Sequence, residues 1–242
     1  MPKIMKMIDK GDSFITIKDD IPNLPFRMLL IGKTGCGKSG VLGNLLLRPS
    51  FYKNDFKPEN IYVFSGSLEG DLKLKTIINQ LEIPEENLFD NFDEEIGNEI
   101  YDTLVENFNE KVENNEKPDN SLFVFDDLGF TNLQNKNKKN SILDRLFSNG
   151  RKYLISTMTL NQRVSQLNTN AREQADSILL WKSSTSSIEL LERSFNYLPD
   201  KKQFFKMIRN HTEDNHDFIV IDMKYKHIYK DKNFKPIENL DY

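Results

Sequence analysis

Gly32-Lys33-Thr34-Gly35-Cys36-Gly37-Lys38-Ser39 is the stretch from which the rest of the chain is read. It fits the phosphate-loop pattern G-x-x-x-x-G-K-[ST] at each required position. On its amino side, Phe26-Arg27-Met28-Leu29-Leu30-Ile31 reads as a buried strand, and on its carboxyl side Ser39 to Leu47 reads as a helix. That is the strand–loop–helix frame the motif needs. Gly32, Gly35 and Gly37 let the backbone curl until successive N–H groups face one anion. The helix N-terminus adds its partial positive charge at the same point. Lys38 is then expected on the β- and γ-phosphates of ATP, and the Ser39 hydroxyl on Mg²⁺. Lys33, Thr34, Cys36 and Gly40 complete the expected nucleotide-contacting segment.

The 242 residues suit one α/β domain, expected as an N-terminal strand and connector (1–23), a nucleotide-binding core (24–182) and C-terminal helices with a hairpin (183–242). A net charge of -4 excludes a chain coated in positive charge, so any nucleic-acid contact must be a local patch. Cys36 is the only cysteine, which rules out an intramolecular disulfide and suits a reducing compartment. Its expected role is to fill a small position in the loop. No apolar run approaches the ~20 residues of a membrane span, and the first residues lack a signal-peptide core, so a soluble, intracellular protein is expected.

Ser13 to Asp19 alternates enough to suggest an edge strand, and Ile21-Pro22-Asn23-Leu24-Pro25 is a stiff connector into the core. Asn60 to Ser65 reads as a second strand and Leu72 to Leu81 as a helix carrying Leu74, Ile77, Ile78 and Leu81. Glu94 to Val112 reads as another helix, with Ile96, Ile100, Leu104 and Phe108 on its apolar face, followed by a loop over Asn114 to Asn120.

Ser121-Leu122-Phe123-Val124-Phe125-Asp126-Asp127-Leu128 places two acids at the end of an apolar run. In a parallel sheet that end is the ligand-binding edge. Asp126 is expected to hold Mg²⁺, directly or through water, and Asp127 to polarise a water against the γ-phosphate. The run from Asn135 to Asn140 is basic, and Lys136, Lys138 and Lys139 are a candidate DNA-facing loop. Ser141 to Phe147 reads as a helix stopping at Asn149-Gly150, with Arg151-Lys152 directly after it. The strand Tyr153 to Thr159 then runs to Gln162, whose amide could hold the attacking water or report loss of the γ-phosphate. Asn168 or Thr169 caps a short helix, Ser177 to Trp181 is a further core strand, and Ser184–Leu198 and Lys201–Arg209 are helices. Phe218 to Asp222 and Lys226 to Tyr229 form a terminal hairpin. His211, His216 and His227 lack metal-site spacing and read as structural or exposed.

With these residues in place the chain resembles the genome-packaging ATPases of large eukaryotic DNA viruses and virophages, the poxvirus-type branch of the FtsK–HerA superfamily. The resemblance spans Leu24 to Trp181. It rests on Leu24-Pro25-Phe26-Arg27 leading into the phosphate loop, the Phe123-Val124-Phe125-Asp126-Asp127 strand, Phe147-Ser148-Asn149-Gly150-Arg151, Gln162, and Asn170-Ala171-Arg172. It departs at Lys152, where the family often has histidine. The resemblance implies an additional-strand P-loop NTPase: a mostly parallel twisted sheet flanked by helices, with a strand between the phosphate-loop and Asp126 strands. It implies that Arg151 is a trans-acting arginine finger and Gln162 the family's strand-end glutamine, hence a homo-oligomeric ring. It further implies double-stranded DNA as cargo, capsid proteins as partners, and a location in the host cytoplasm (viral factory) or the virion. A nucleotide-dependent switch or scaffold, or a small-molecule kinase, would share the loop. The Asp126-Asp127 pair favours hydrolysis over both.

Overall fold

The computed structural model describes residues 11–126, 128, 141–224, 228–238 and 240. In chain order the strands and helices are β1 (Arg27–Ile31), α1 (Lys38–Leu47), β2 (Ile61–Ser65), α2 (Leu72–Leu81), β3 (Leu88–Phe89), α3 (Glu94–Glu113) and β4 (Ser121–Asp126). They continue with α4 (Ile142–Asn149), β5 (Ile155–Asn161), α5 (Thr169–Gln174), β6 (Ser177–Trp181), α6 (Thr185–Phe195), α7 (Lys201–His211), β7 (Phe218–Asp222) and β8 (Tyr229–Lys230). All the strands join one sheet in the order β3-β2-β4-β5-β1-β6-β7-β8. The pairs from β3 to β6 are parallel, and β7 and β8 are added antiparallel. This is the expected additional-strand P-loop architecture, with β5 standing between β4 and β1.

Strand residues alternate between two apolar layers, as the two-residue pleat requires. Leu29, Ile31, Phe123, Phe125, Ile178 and Leu180 pack with α3 to α7. Met28, Leu30, Leu122, Val124, Leu179 and Trp181 pack with α1 and α2. The strands are therefore apolar on both faces and read as continuous hydrophobic runs. Among the described residues no helix is long and apolar enough to cross a membrane.

Four details differ from the sequence reading. The expected edge strand at 13–19 is not formed: Gly11–Phe14 is a 3₁₀ turn, and Thr16 makes only an isolated bridge to Leu24. The Asn23 side chain takes the Lys18 N–H at 2.7 Å, which ends the ladder, and Ile17 lies exposed. On α3 the buried stripe is Gly97, Tyr101, Leu104 and Phe108, whereas Ile96 is exposed. Residues spaced always by four drift about 40° per step around a 3.6-residue helix, so a stripe must mix threes and fours. Gly97 is also where α3 approaches Ile142 of α4: an added Cβ would lie 3.3 Å from it.

Third, α4 stops at Asn149 with Gly150 as its C-cap, as read, but Gly150 does not take the left-handed conformation usual for a capping glycine. It has ordinary helical dihedrals (φ -51°), and a 3₁₀ turn over Gly150–Tyr153 carries the chain on to Leu154, whose φ of 58° makes the reversal. Glycine stands at 150 for space, because a Cβ there would meet the Ile155 carbonyl oxygen at 3.2 Å. Finally, the two-residue β3 extends the sheet beyond the strands read from sequence.

Candidate functional site

The carboxyl ends of β1, β4 and β5 meet at one edge of the sheet. Their register places Ile31 beside Asn161 and Asp126 beside Leu160. With strands ~4.8 Å apart, the intervening β5 sets the phosphate-loop and Asp126 strands roughly 10 Å from each other. A cavity of about 530 Å³ opens there, lined by Thr34, Gly35, Gly37, Lys38, Ser39 and, across from them, Ser67, Asp71, Asp126 and Gln162.

The loop begins with Gly32, whose N–H donates to the Asn161 carbonyl at 3.0 Å. No side chain fits at this position: a Cβ would lie 2.6 Å from Cys36 Sγ and 2.7 Å from Trp181 Cβ. Gly35 and Gly37 have φ of 79° and 107°, the left-handed region that glycine enters without strain. Thr34 and Gly35 line the cavity, while Lys33 accepts from Lys38 through its carbonyl. Gly40 lies on the first turn of α1 with open space at its Cβ position, so neither crowding nor backbone conformation demands glycine there.

Every described α-helix except α1 has a side-chain cap at its N-terminus: Asp71, Asp93, Ser141, Asn168, Ser184 and Asp200. α1 is preceded by Gly37, and among the described residues no side chain caps its first N–H groups. Those donors are left for an anion. Lys38 Nζ donates to Gly32 O at 2.6 Å and Lys33 O at 3.2 Å, which holds the ammonium at the inner rim of the loop. Cys36 is buried under the loop, and burial pushes its thiol above the ordinary value despite the Lys38 charge. It is a packing residue, not a reactive thiolate.

Facing the loop, Ser39 Oγ donates to Asp71 Oδ2 at 3.0 Å. The other oxygen of Asp71 caps α2 by accepting from Lys73 N at 2.8 Å and Leu74 N at 3.1 Å. Asp126 is buried at the end of β4, with the Ser65 hydroxyl 3.3 Å from its Oδ2. Serine hydroxyls and carboxylates are hard oxygen donors of the kind a small divalent cation selects. Gln162 directly follows β5, and its turn is pinned by Gln166, whose Oε1 accepts from Gln162 N at 2.7 Å and Arg163 N at 2.9 Å. Asp127 and the lysines at 136, 138 and 139 lie outside the described residues.

Sequence reasoning missed Asp71. Its signal is an Asp directly before the Leu72 helix, a cap that can also turn an oxygen to the neighbouring loop. The segment joining α7 to β7 was missed as well. His216 Nδ1 lies 3.2 Å from Cys36 O, and Asn215 approaches Gly35 O, so this exposed segment rests on the phosphate loop.

Arg151 is not in this cavity. It is exposed at the opposite, amino-terminal edge of the sheet, beside a cleft of about 490 Å³ that it shares with Arg27, Asp176 and Lys224. Arg27 binds Asp176 through its backbone N–H, Nε and Nη2, at 3.0, 3.1 and 2.6 Å. Lys224 Nζ adds a 2.9 Å contact to the same carboxylate, and its burial holds its pKa below the usual lysine value. The path along β1 from this edge to Gly32 is five residue steps, about 16 Å at ~3.3 Å each. Asn170 and Arg172 make structural hydrogen bonds outside the cavity. Asn170 donates to Asp144 of α4, which leads to Arg151, and Arg172 donates to Leu167 O in the turn after Gln162.

The family model described as Poxvirus A32 protein matches residues 92–235. That span omits the phosphate loop and continues past Trp181 through α6, α7 and the terminal strands. No curated protein matches the chain. Among solved structures, the genome packaging NTPase B204 of Sulfolobus turreted icosahedral virus 2, in complex with AMP, is similar with a TM-score of 0.60 at 14% identity, covering 88% of this chain and 98% of its own. B204 of Sulfolobus turreted icosahedral virus, the DNA-packaging ATPase, gives 0.58 at 16% identity, covering 89% and 99%. EssC (ATPases 2 and 3) of Geobacillus thermodenitrificans gives 0.54 at 17% identity, over 73% of this chain and 36% of that one.

Proposed function

This chain belongs to the Poxvirus A32 protein family, and on that premise we propose that it hydrolyses ATP to drive double-stranded DNA into a preformed viral capsid. The observation that carries this reading is the shared cavity: the uncapped α1, Lys38, Ser39, Asp126 and Gln162 converge at the carboxyl edge on three adjacent strands. The similar B204 structures are packaging NTPases, one solved with AMPPCP and one with ATP-gammaS.

In this reading the free N–H groups of the loop and of α1 hold the phosphates, and Lys38 trades its carbonyl partners for β- and γ-oxygens. Ser39 and Asp126 would hold Mg²⁺, which neutralises charge developing on the phosphates. Asp71 orients the Ser39 hydroxyl from the outer shell, as its 3.0 Å contact allows. Asp127 takes the role of water-orienting acid, and Gln162 holds the water or senses the γ-phosphate. Arg151 supplies charge to a neighbour's site, because its position at the far edge puts its own cavity out of reach. Alternating sites of this kind imply a ring of identical subunits.

The test is ATP hydrolysis with and without duplex DNA. Stimulation by duplex of any sequence, absent in Lys38→Ala, is expected. ATP turnover indifferent to DNA would favour the switch or scaffold reading.

A further inference from the structure

Helix α7 carries Lys201, Lys202, Lys206 and Arg209 and not one acid between Lys201 and His211, in a chain whose net charge is -4. Phe204, Met207 and Ile208 fix the helix to the core, so the basic residues share the outward side. With Asn210 and the half-buried Phe205 they line a shallow surface groove. The Lys201 ammonium lies 5.3 Å from the centre of the Phe205 ring and the Arg209 guanidinium 5.8 Å from it, so the ring props both cations along the groove. Lys201 also pairs with Glu189 at 3.2 Å. Among the described residues, no carboxylate pairs with Lys202, Lys206 or Arg209.

From this face we infer that α7 is the surface on which duplex DNA sits, held by its phosphate backbone. The inference rests on the DNA-motor reading above and gives that partner a place. The charge is complementary, and the row from Lys202 to Arg209 is about 11 Å long at ~1.5 Å per residue. That spans roughly three phosphates of one strand at ~3.4 Å rise. Lysine is the commonest residue of the groove, and a row of cations spaced along one helix face matches phosphates, whose contacts carry no sequence information, so binding is to backbone and independent of sequence. The position of α7 also supplies a route to chemistry. Its C-terminus runs through 212–217, where Asn215 and His216 touch the carbonyls of Gly35 and Cys36. Load on α7 is therefore passed to the phosphate loop by a six-residue connection.

The experiment uses the full chain with Lys202→Glu and Lys206→Glu combined, measuring duplex binding across a salt series together with ATPase. Both residues are exposed, so the fold should survive, which circular dichroism and unchanged basal hydrolysis would show. Expected are a loss of at least ~10-fold in duplex affinity, a salt slope shallower by about two, and loss of DNA stimulation. The Lys202→Arg, Lys206→Arg pair should retain all three. If wild type binds duplex and the Glu pair binds it equally with the same slope, the α7 assignment fails while the motor reading stands; an acidic protein partner would then be the occupant to seek. If wild type itself binds no duplex, the motor reading fails and takes this inference with it.

Discussion

The two ends of β1 hold opposite kinds of polar site. At the amino end, Arg27 is locked to Asp176 by three hydrogen bonds, with Lys224 closing on the same carboxylate. Beyond the carboxyl end, the α1 donors have no side-chain cap and, among the described residues, Lys38 is held by loop carbonyls. One end has its charges paired within the fold; the other leaves donors arranged around a cavity. The difference shows where a ligand's charge is needed. A phosphate at the loop would replace contacts to neutral carbonyls, whereas an anion at the Arg27 cluster would compete with an internal carboxylate. Arg151 and Lys152 are exposed cations at the closed end.

The largest effect expected from breaking this division is at Arg151. Arg151→Ala should bind ATP normally and hydrolyse it roughly 10³-fold more slowly. Mixing it with Lys38→Ala subunits should restore part of the rate, because some interfaces then join an intact loop to an intact arginine. No recovery at any mixing ratio, in rings shown to be mixed, would leave Arg151 without a role at a neighbour's site.

A smaller effect tests the open end. Asp71→Asn keeps a good cap on α2, since Asn caps as well as Asp, but removes the charge beside Ser39. Metal affinity in the presence of ATP, followed by Mn²⁺ spectroscopy and not by turnover alone, should fall ~10-fold. An unchanged metal titration would reduce Asp71 to a helix cap.

The smallest effect sharpens the geometry of the closed end. Gly150→Ala pushes a methyl against the Ile155 carbonyl, a strand backbone with little room to yield. Thermal unfolding should show a loss of about 1 kcal/mol, with nucleotide binding unaffected. A gain in stability would mean the 3₁₀ turn that presents Arg151 relaxes readily.

Sequence alone determined what is local. The phosphate loop was legible because glycine at 32, 35 and 37, Lys38 and Ser39 must be near neighbours to curl around one anion. β4, β6 and β7 were legible because strands buried on both faces are written as unbroken apolar runs, and α2 because Leu74, Ile77 and Ile78 keep helical spacing. Tertiary structure alone decided which ends meet. Ser39 and Asp71 are 32 residues apart, and Asp176 reaches Arg27 across 149. The place of β5 between β4 and β1 came from family resemblance, since no periodicity fixes the order of parallel strands. Gly150 shows the limit most clearly. The glycine does mark the end of α4, but its backbone stays right-handed, its Cβ position faces a carbonyl five residues further on, and Leu154 makes the turn. Local patterns record a residue's own backbone preference; contacts across the sheet depend on how the elements pack, and packing overrode that preference at Gly150.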